Sequence, residues 1–203
     1  MRIQLLLHAL SVSVLVSCSD AKNEDQAQVK SAEATSTLEG QALIDRGNYL
    51  VTSGGCNDCH SPKIMSPMGP EADSTKLLSG HPAGSKLPPI DASALKPGGW
   101  VLMAPDITSF VGPWGISYAA NLTPDSATGI GAWSETNFIK ALRTGKHMGI
   151  ETGRPIMPPM PYPYIGQFND EDLKAMFAYL KSLPPVSNKV PEPTPPNQVP
   201  TAK

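Results

Sequence analysis

Cys56-Asn57-Asp58-Cys59-His60 carries the most specific chemistry in the chain. Two cysteines separated by two residues, with a histidine directly after the second, form the spacing that attaches a c-type haem. Each thiol adds across one vinyl group of the porphyrin. The histidine then lies under the ring plane and offers its imidazole to the iron. Two other chemistries use a cysteine pair. A thioredoxin-like dithiol sits on a strand-to-helix turn, whereas the residues before Cys56 read as a helix. A structural zinc site needs a second Cys or Cys/His pair, and the chain has three cysteines in all. The motif predicts one covalent haem c on Cys56 and Cys59, with His60 on the iron.

An iron held from one side by His60 has a second axial face, open to His147, to a methionine or to nothing. Arg154 to Tyr164 contains five prolines within residues 155–163. They fix φ and remove amide donors, so the segment is a stiff extended loop. Such a loop can hold the thioether of Met157 or Met160 at bonding distance. A soft sulfur ligand favours ferrous iron and raises the potential. His147 follows a helix and would give bis-histidine ligation with a lower potential, but nothing nearby stiffens it. His81 lies among Gly and Pro and reads as a loop residue bonded to a local carbonyl.

Three helices must position these groups. Gln41 to Ser53 has helical spacing, with Ala42, Leu43, Arg46, Tyr49 and Leu50 on or near one face, and Gly54-Gly55 ends it just before the haem motif. Ser134 caps an amphipathic helix from Glu135 to Thr144, with Phe138, Ile139 and Leu142 inward and Gly145 as its stop. Asn169 caps a last helix, Asp170 to Ser182, whose Leu173, Met176, Phe177 and Leu180 share a face. Between His60 and Asn121 frequent prolines break any long element. That stretch predicts a long loop insertion over one haem edge, with a small hairpin near Trp100–Ala104.

The ends of the chain have other compositions. Arg2, an apolar run from Ile3 to Val16 and small residues before Cys18 make residues 1–17 a secretory signal. Leu15-Val16-Ser17-Cys18 resembles the bacterial lipobox, which implies lipidation of Cys18 and a membrane-anchored lipoprotein on the periplasmic side of a bacterial envelope. Residues 18–40 are polar and form a flexible tether. The cytochrome domain is expected over 41–186. Residues 187–203 are expected as a Pro-rich disordered tail or an extended partner-binding strap. Loss of Arg2 with the signal leaves 15 Lys and Arg against 18 Asp and Glu, a formal charge of −3. No basic stretch exists, which excludes nucleic acid as an expected partner.

From Gln41 to Val186 the chain resembles class I cytochromes c. It has a first helix, the haem motif, a middle helix, a methionine loop and a last helix in that order, which implies a mainly α fold wrapped around one haem. Ala178-Tyr179-Leu180-Lys181-Ser182-Leu183-Pro184 is similar to the terminal helix of that family. By position, Gly47 and Tyr49 match the pair that crosses it, with Tyr179 as the aromatic they meet. Asn121-Leu122-Thr123-Pro124-Asp125, Thr128-Gly129-Ile130-Gly131-Ala132-Trp133 and Met160-Pro161-Tyr162 resemble the haem domains in cytochrome subunits of bacterial sugar and alcohol dehydrogenases. The resemblance implies Asn121 and Trp133 beside the haem propionates and Met160, over Met157, as sixth ligand. It departs from compact members in the long 61–121 insertion. Family members of the dehydrogenase kind often carry several haem domains, but this chain has one motif. The expected function is electron transfer, one electron at a time, between a dehydrogenase and an oxidase or other cytochrome. The chain would act as a free carrier or as a subunit of an oxidoreductase complex, not as the catalyst. A haem enzyme or gas sensor with an open sixth site is the competing class.

Overall fold

The computed structural model describes residues 38–202. The signal segment, Cys18 with its expected lipid, and the tether up to residue 37 lie outside the described residues. Among the described residues no helix is long and apolar enough to cross a membrane.

Helix α1 (Gly40–Ser53) leads into the one-turn α2 (Cys56–His60), which carries the haem motif. Between them Gly55 adopts φ 68°, a left-handed conformation that costs other residues about 1–2 kcal/mol, and this reverses the chain. Next come two small antiparallel sheets. One pairs β1 (Lys63–Ser66) with β2 (Gly69–Ala72); the other has order β3 (Leu102–Met103), β4 (Ser109–Gly112), β5 (Gly115–Tyr118). Helix α3 (Glu135–Thr144), the short α4 (Tyr162–Ile165) and α5 (Asp170–Ser182) complete the body. The Ser134 and Asn169 side chains accept amides from Asn137 and Asp172, and Gly145 ends α3 at φ 66°. All three caps match the sequence expectation.

The main core gathers Leu50 and Val51 of α1, Leu78, Ile130, Phe138 and Leu142 of α3, and Leu173, Met176 and Leu180 of α5. Val51 and Leu173 are fully buried, a gain of about 1.5–3 kcal/mol each. Helices α1 and α5 cross at Gly47, where an added Cβ would lie 1.9 Å from the Ala175 carbonyl and 2.7 Å from Tyr179 Cβ. Only a residue without a side chain lets the two backbones approach so closely. The Arg46 guanidinium donates to Asp172 across the same crossing at 2.8 Å. Tyr49, expected in the crossing, instead points outward, 62% exposed, with Arg46 over its ring. The Gly47 backbone already fills the contact, so a second aromatic has no place there.

The 61–121 segment differs from the expected loop. Pro67, Pro97, Pro105 and Pro113 sit in turns and Pro70 in the two-stranded sheet, both of whose strands are edges. The segment also has its own apolar cluster of Ile90, Ala94, Val111 and Ile116, packed with Leu87, Leu102 and Tyr118. The expected disordered tail also differs, because its residues run along the body as a strap. Ile116 and Thr194 exchange backbone bonds at 2.8 and 2.9 Å, and Val199 packs on the Ile90 cluster. The Asn188 side chain donates to the carbonyls of Ser79 and His81 and accepts the amide of Ala83. Prolines help here, because a chain held near polyproline geometry loses little entropy on docking.

Candidate functional site

Helix α2 is too short to hold itself, and side chains finish it. The Lys63 ammonium donates to the carbonyls of Asn57, Asp58 and Ser61 at 3.2, 2.8 and 2.5 Å, capping its C-terminal end. The Ser61 hydroxyl donates to Asn57 and accepts the Leu78 amide, both at 2.9 Å. One turn of helix thereby brings Cys56, Cys59 and His60 together and ties them to residues 78–81.

Both cysteines are free thiols and half-buried. Burial pushes the Cys56 thiol up to about 11, and burial also raises Cys59, with Asp58 adding to it. A site that disfavours thiolates does not suit a reactive dithiol, whose chemistry needs the anion. It suits uncharged thioethers. Among the described residues no three His, Cys, Asp or Glu side chains converge as a metal cluster.

His60 is 9% exposed, and Nδ1 lies 2.8 Å from the Ala120 carbonyl. A carbonyl can only accept, so Nδ1 carries the proton and the lone pair is on Nε2. Burial lowers the histidine below its ordinary value, outweighing the Ala120 bond, so the ring is neutral at pH 7. Among the described residues Nε2 has no hydrogen-bond partner, yet no enclosed side-chain nitrogen or oxygen is unsatisfied. Nε2 is therefore not fully enclosed by the protein. A neutral, oriented imidazole with a free Nε2 is what an axial iron ligand requires, and with the uncharged thiols it fits a covalent haem.

The predicted methionine loop is anchored by more than its prolines. His147 donates its amide to the Arg154 carbonyl at 2.9 Å, Ile156 to Gly145 at 2.7 Å, and the Ser117 hydroxyl to the Pro158 carbonyl at 2.5 Å. Tyr162 packs over Gly145, where an added Cβ would meet its ring at 2.3 Å. Met160 packs on the main core together with Cys56, Trp133 and Tyr162. Met157 instead lines a cavity of about 300 Å³ with Trp114, Arg154, Glu192 and the prolines of the strap. The two methionines thus point to different parts of the molecule, and Met160 shares the core of the motif. His147 is half-buried and meets Trp133 edge-on, ring centroids 5.3 Å apart.

The two expected propionate donors part company. Trp133 packs on the core, and among the described residues its indole N–H has no partner, so it is free to donate. Asn121 is 4% exposed, and its amide is committed to Thr128 at 3.2 Å and Val186 at 2.8 Å. Its side-chain oxygen accepts the amide and hydroxyl of Thr123 at 2.9 and 2.7 Å. With these partners, Asn121 clamps the 121–128 turn to the strap.

His81, expected as a loop residue on a local carbonyl, is buried and bonds through Nδ1 to the Thr108 hydroxyl at 2.7 Å. Gly80, beside it, was not singled out by its pattern. At φ 80° its Cβ position would lie 2.6–2.7 Å from the Ala119–Ala120–Asn121 backbone. A left-handed glycine in a Ser-Gly-His-Pro string was the available signal.

No protein-family model matches the chain. Three curated relatives illustrate what it is similar to. It is 33% identical over 138 residues to the gluconate 2-dehydrogenase cytochrome c subunit of Pantoea cypripedii, covering 68% of this chain and 22% of that protein. It is 30% identical over 155 residues to the cytochrome c subunit of a quinone alcohol dehydrogenase of Gluconobacter oxydans, covering 75% and 24%. To the fructose dehydrogenase cytochrome subunit of Gluconobacter japonicus it is 27% identical over 169 residues, covering 83% and 26%. The chain spans about a quarter of the length of these relatives. The similarity supports a c-type cytochrome domain.

Proposed function

We propose that residues 41–186 form a class I cytochrome c domain with a long insertion, which passes single electrons between a dehydrogenase and a respiratory acceptor. One haem c would be attached at Cys56 and Cys59 and ligated by His60 and Met160, and a lipid on Cys18 would hold the domain at the periplasmic side of a bacterial membrane. The acceptor would be an oxidase or another cytochrome. The observation that carries the reading is the buried His60 imidazole, bonded to protein through Nδ1 alone, one residue after two neutral thiols. The names of the relatives support it further and favour a dedicated subunit of an oxidoreductase complex over a free carrier.

The haem, when bound, supplies a one-electron ferric–ferrous couple. The chain's residues do the rest. His60 donates its Nδ1 proton to the Ala120 carbonyl, which leaves the Nε2 lone pair as the one that would bind iron. Met160 sits on a loop braced by Tyr162 and Ser117, so its sulfur would need little ordering to serve as the second ligand. Trp133 has a free N–H to offer a buried carboxylate. Six-coordination by His60 and Met160 would exclude substrate and oxygen, which separates an electron carrier from a haem enzyme.

The test is a spectrum of protein matured in a haem-attaching host. Colour retained in acidified butanone is expected, and its loss overturns the attachment. The weak long-wavelength sulfur-to-iron band of the oxidised protein is expected to vanish in Met160→Ala and persist in Met157→Ala. A band lost only in Met157→Ala, or absent from the wild type with rapid carbon monoxide binding, overturns the Met160 assignment.

A further inference from the structure

The carbonyl that accepts the His60 proton belongs to Ala120, and the neighbouring residue is held in a closed ring of hydrogen bonds. Ala119 donates its amide to the Thr108 carbonyl at 2.9 Å, and its own carbonyl accepts the His81 amide at 2.9 Å. The ring closes through side chains, His81 Nδ1 to Thr108 Oγ1 at 2.7 Å. Thr108 has one hydroxyl proton, and it goes to Asp106 Oδ2 at 2.7 Å. Its oxygen must therefore accept from His81, which fixes the tautomer of that imidazole with the proton on Nδ1. Asp106 also accepts the Thr108 amide at 3.2 Å. Thr108 is fully buried and His81 is 2% exposed, with the Tyr118 ring 4.9 Å away. Lys63, the cap of the motif helix, feels the Asp106 charge.

The same segment reaches His60 by a second route. Gly80 donates its amide to the His60 backbone carbonyl at 2.7 Å, while Leu78 accepts the Leu122 amide at 2.8 Å. Residues 78–81 thus touch the backbone of His60 and also the segment after β5 whose Ala120 carbonyl accepts its ring proton. A purely packing role would not need a buried hydroxyl and imidazole in series with a carboxylate, since buried polar groups stabilise little and cost much when broken.

We propose that Asp106, Thr108 and His81 form a positioning relay that holds the Ala120 carbonyl against His60 Nδ1 and so sets the donor strength of that imidazole. The proposal rests on the reading of His60 as the haem ligand. A tight Nδ1–H···O bond makes the imidazole more basic and favours ferric iron. A loosened relay lets the carbonyl drift, weakens that bond and favours the ferrous form.

The test compares holoprotein carrying Thr108→Val, Asp106→Asn or His81→Asn by redox titration and by solvent exchange of the His60 Nδ1 proton in ferrous protein. Thr108→Val keeps the volume and removes the hydroxyl. It is expected to shift the ferric–ferrous equilibrium towards ferrous by about three- to tenfold, tenfold being 59 mV for one electron, and to speed the proton's exchange about tenfold. Asp106→Asn leaves both ring bonds to Ala119 in place and is expected to move both readouts the same way by less. It decides the matter if Thr108→Val does not fold. His81→Asn, whose amide can donate near the Nδ1 position, is expected to stay within about twofold of the wild type. A potential and exchange rate unmoved in the valine and asparagine variants of Thr108 and Asp106, with haem attached, overturn the relay alone. Wild-type protein without covalent haem overturns the reading of His60 and the relay with it.

Discussion

The two sides of the candidate haem site are built by different physics. On the His60 side, residues 78–81 and 119–122 are tied by backbone bonds, with the buried Ser61, His81 and Thr108 inserted as polar side chains. On the Met160 side, prolines, the Tyr162–Gly145 contact, the Ser117 bond to Pro158 and the main core hold the loop, with backbone bonds at its base and one from Met160 to Met157. An imidazole has a plane, a tautomer and a proton to place, so it needs directional bonds. A thioether is soft and nearly undirected, so a stiff chain in an apolar wall suffices. The contrast teaches that the directional His60 ligand is held by several buried polar bonds, whereas the Met160 loop takes one buried hydroxyl, that of Ser117.

That contrast can be broken at its two glycines. Gly80→Ala would drive a Cβ into the Ala120 peptide and strain a left-handed backbone, so a loss of about 3 kcal/mol is expected by urea unfolding. Gly145→Ala carries the same φ penalty, but its obstacle is the Tyr162 ring, which can turn aside, and about 1 kcal/mol is expected. Equal losses would mean that the loop is as rigid as the His60 side.

Asn121→Ala tests whether the polar side extends into the strap. The variant leaves the buried Thr123 amide unpaired and the Val186 carbonyl with the Thr123 hydroxyl alone, for an expected loss of about 2 kcal/mol and faster proteolysis after Val186. If the haem signals moved while stability did not, Asn121 would be a propionate donor. The smallest effect is expected on the methionine side, where Arg154 and Glu192 pair at 3.0 Å in the open. Glu192→Gln should change stability by less than about 0.5 kcal/mol, measured by the same unfolding.

Much of this division could be read without coordinates, and the rest could not, for a physical reason. Helices α3 and α5 and their caps are local, written in the spacing of Phe138, Leu142, Leu173 and Leu180 and in Ser134, Gly145 and Asn169. The haem motif is local too. The setting of His81 and Thr108 was not legible because their partners are distant in sequence, and a polar side chain between prolines looks alike whether it is buried or exposed. The strap was obscured in the same way: few large apolar residues mark it, and a polar side chain, Asn188, ties its start to residues 79–83. Tyr49 was misplaced because a matching position in a related pattern does not say which of two neighbours fills the crossing.

The acceptor for the His60 proton is a peptide oxygen, and a peptide oxygen has no side chain to exchange. No single codon change can delete it or swap it for a stronger base, as could happen if a carboxylate stood there. Tuning of this centre from below must therefore be indirect and graded, through shifts of a few tenths of an ångström in the main chain, while the identity of the contact itself is immune to mutation.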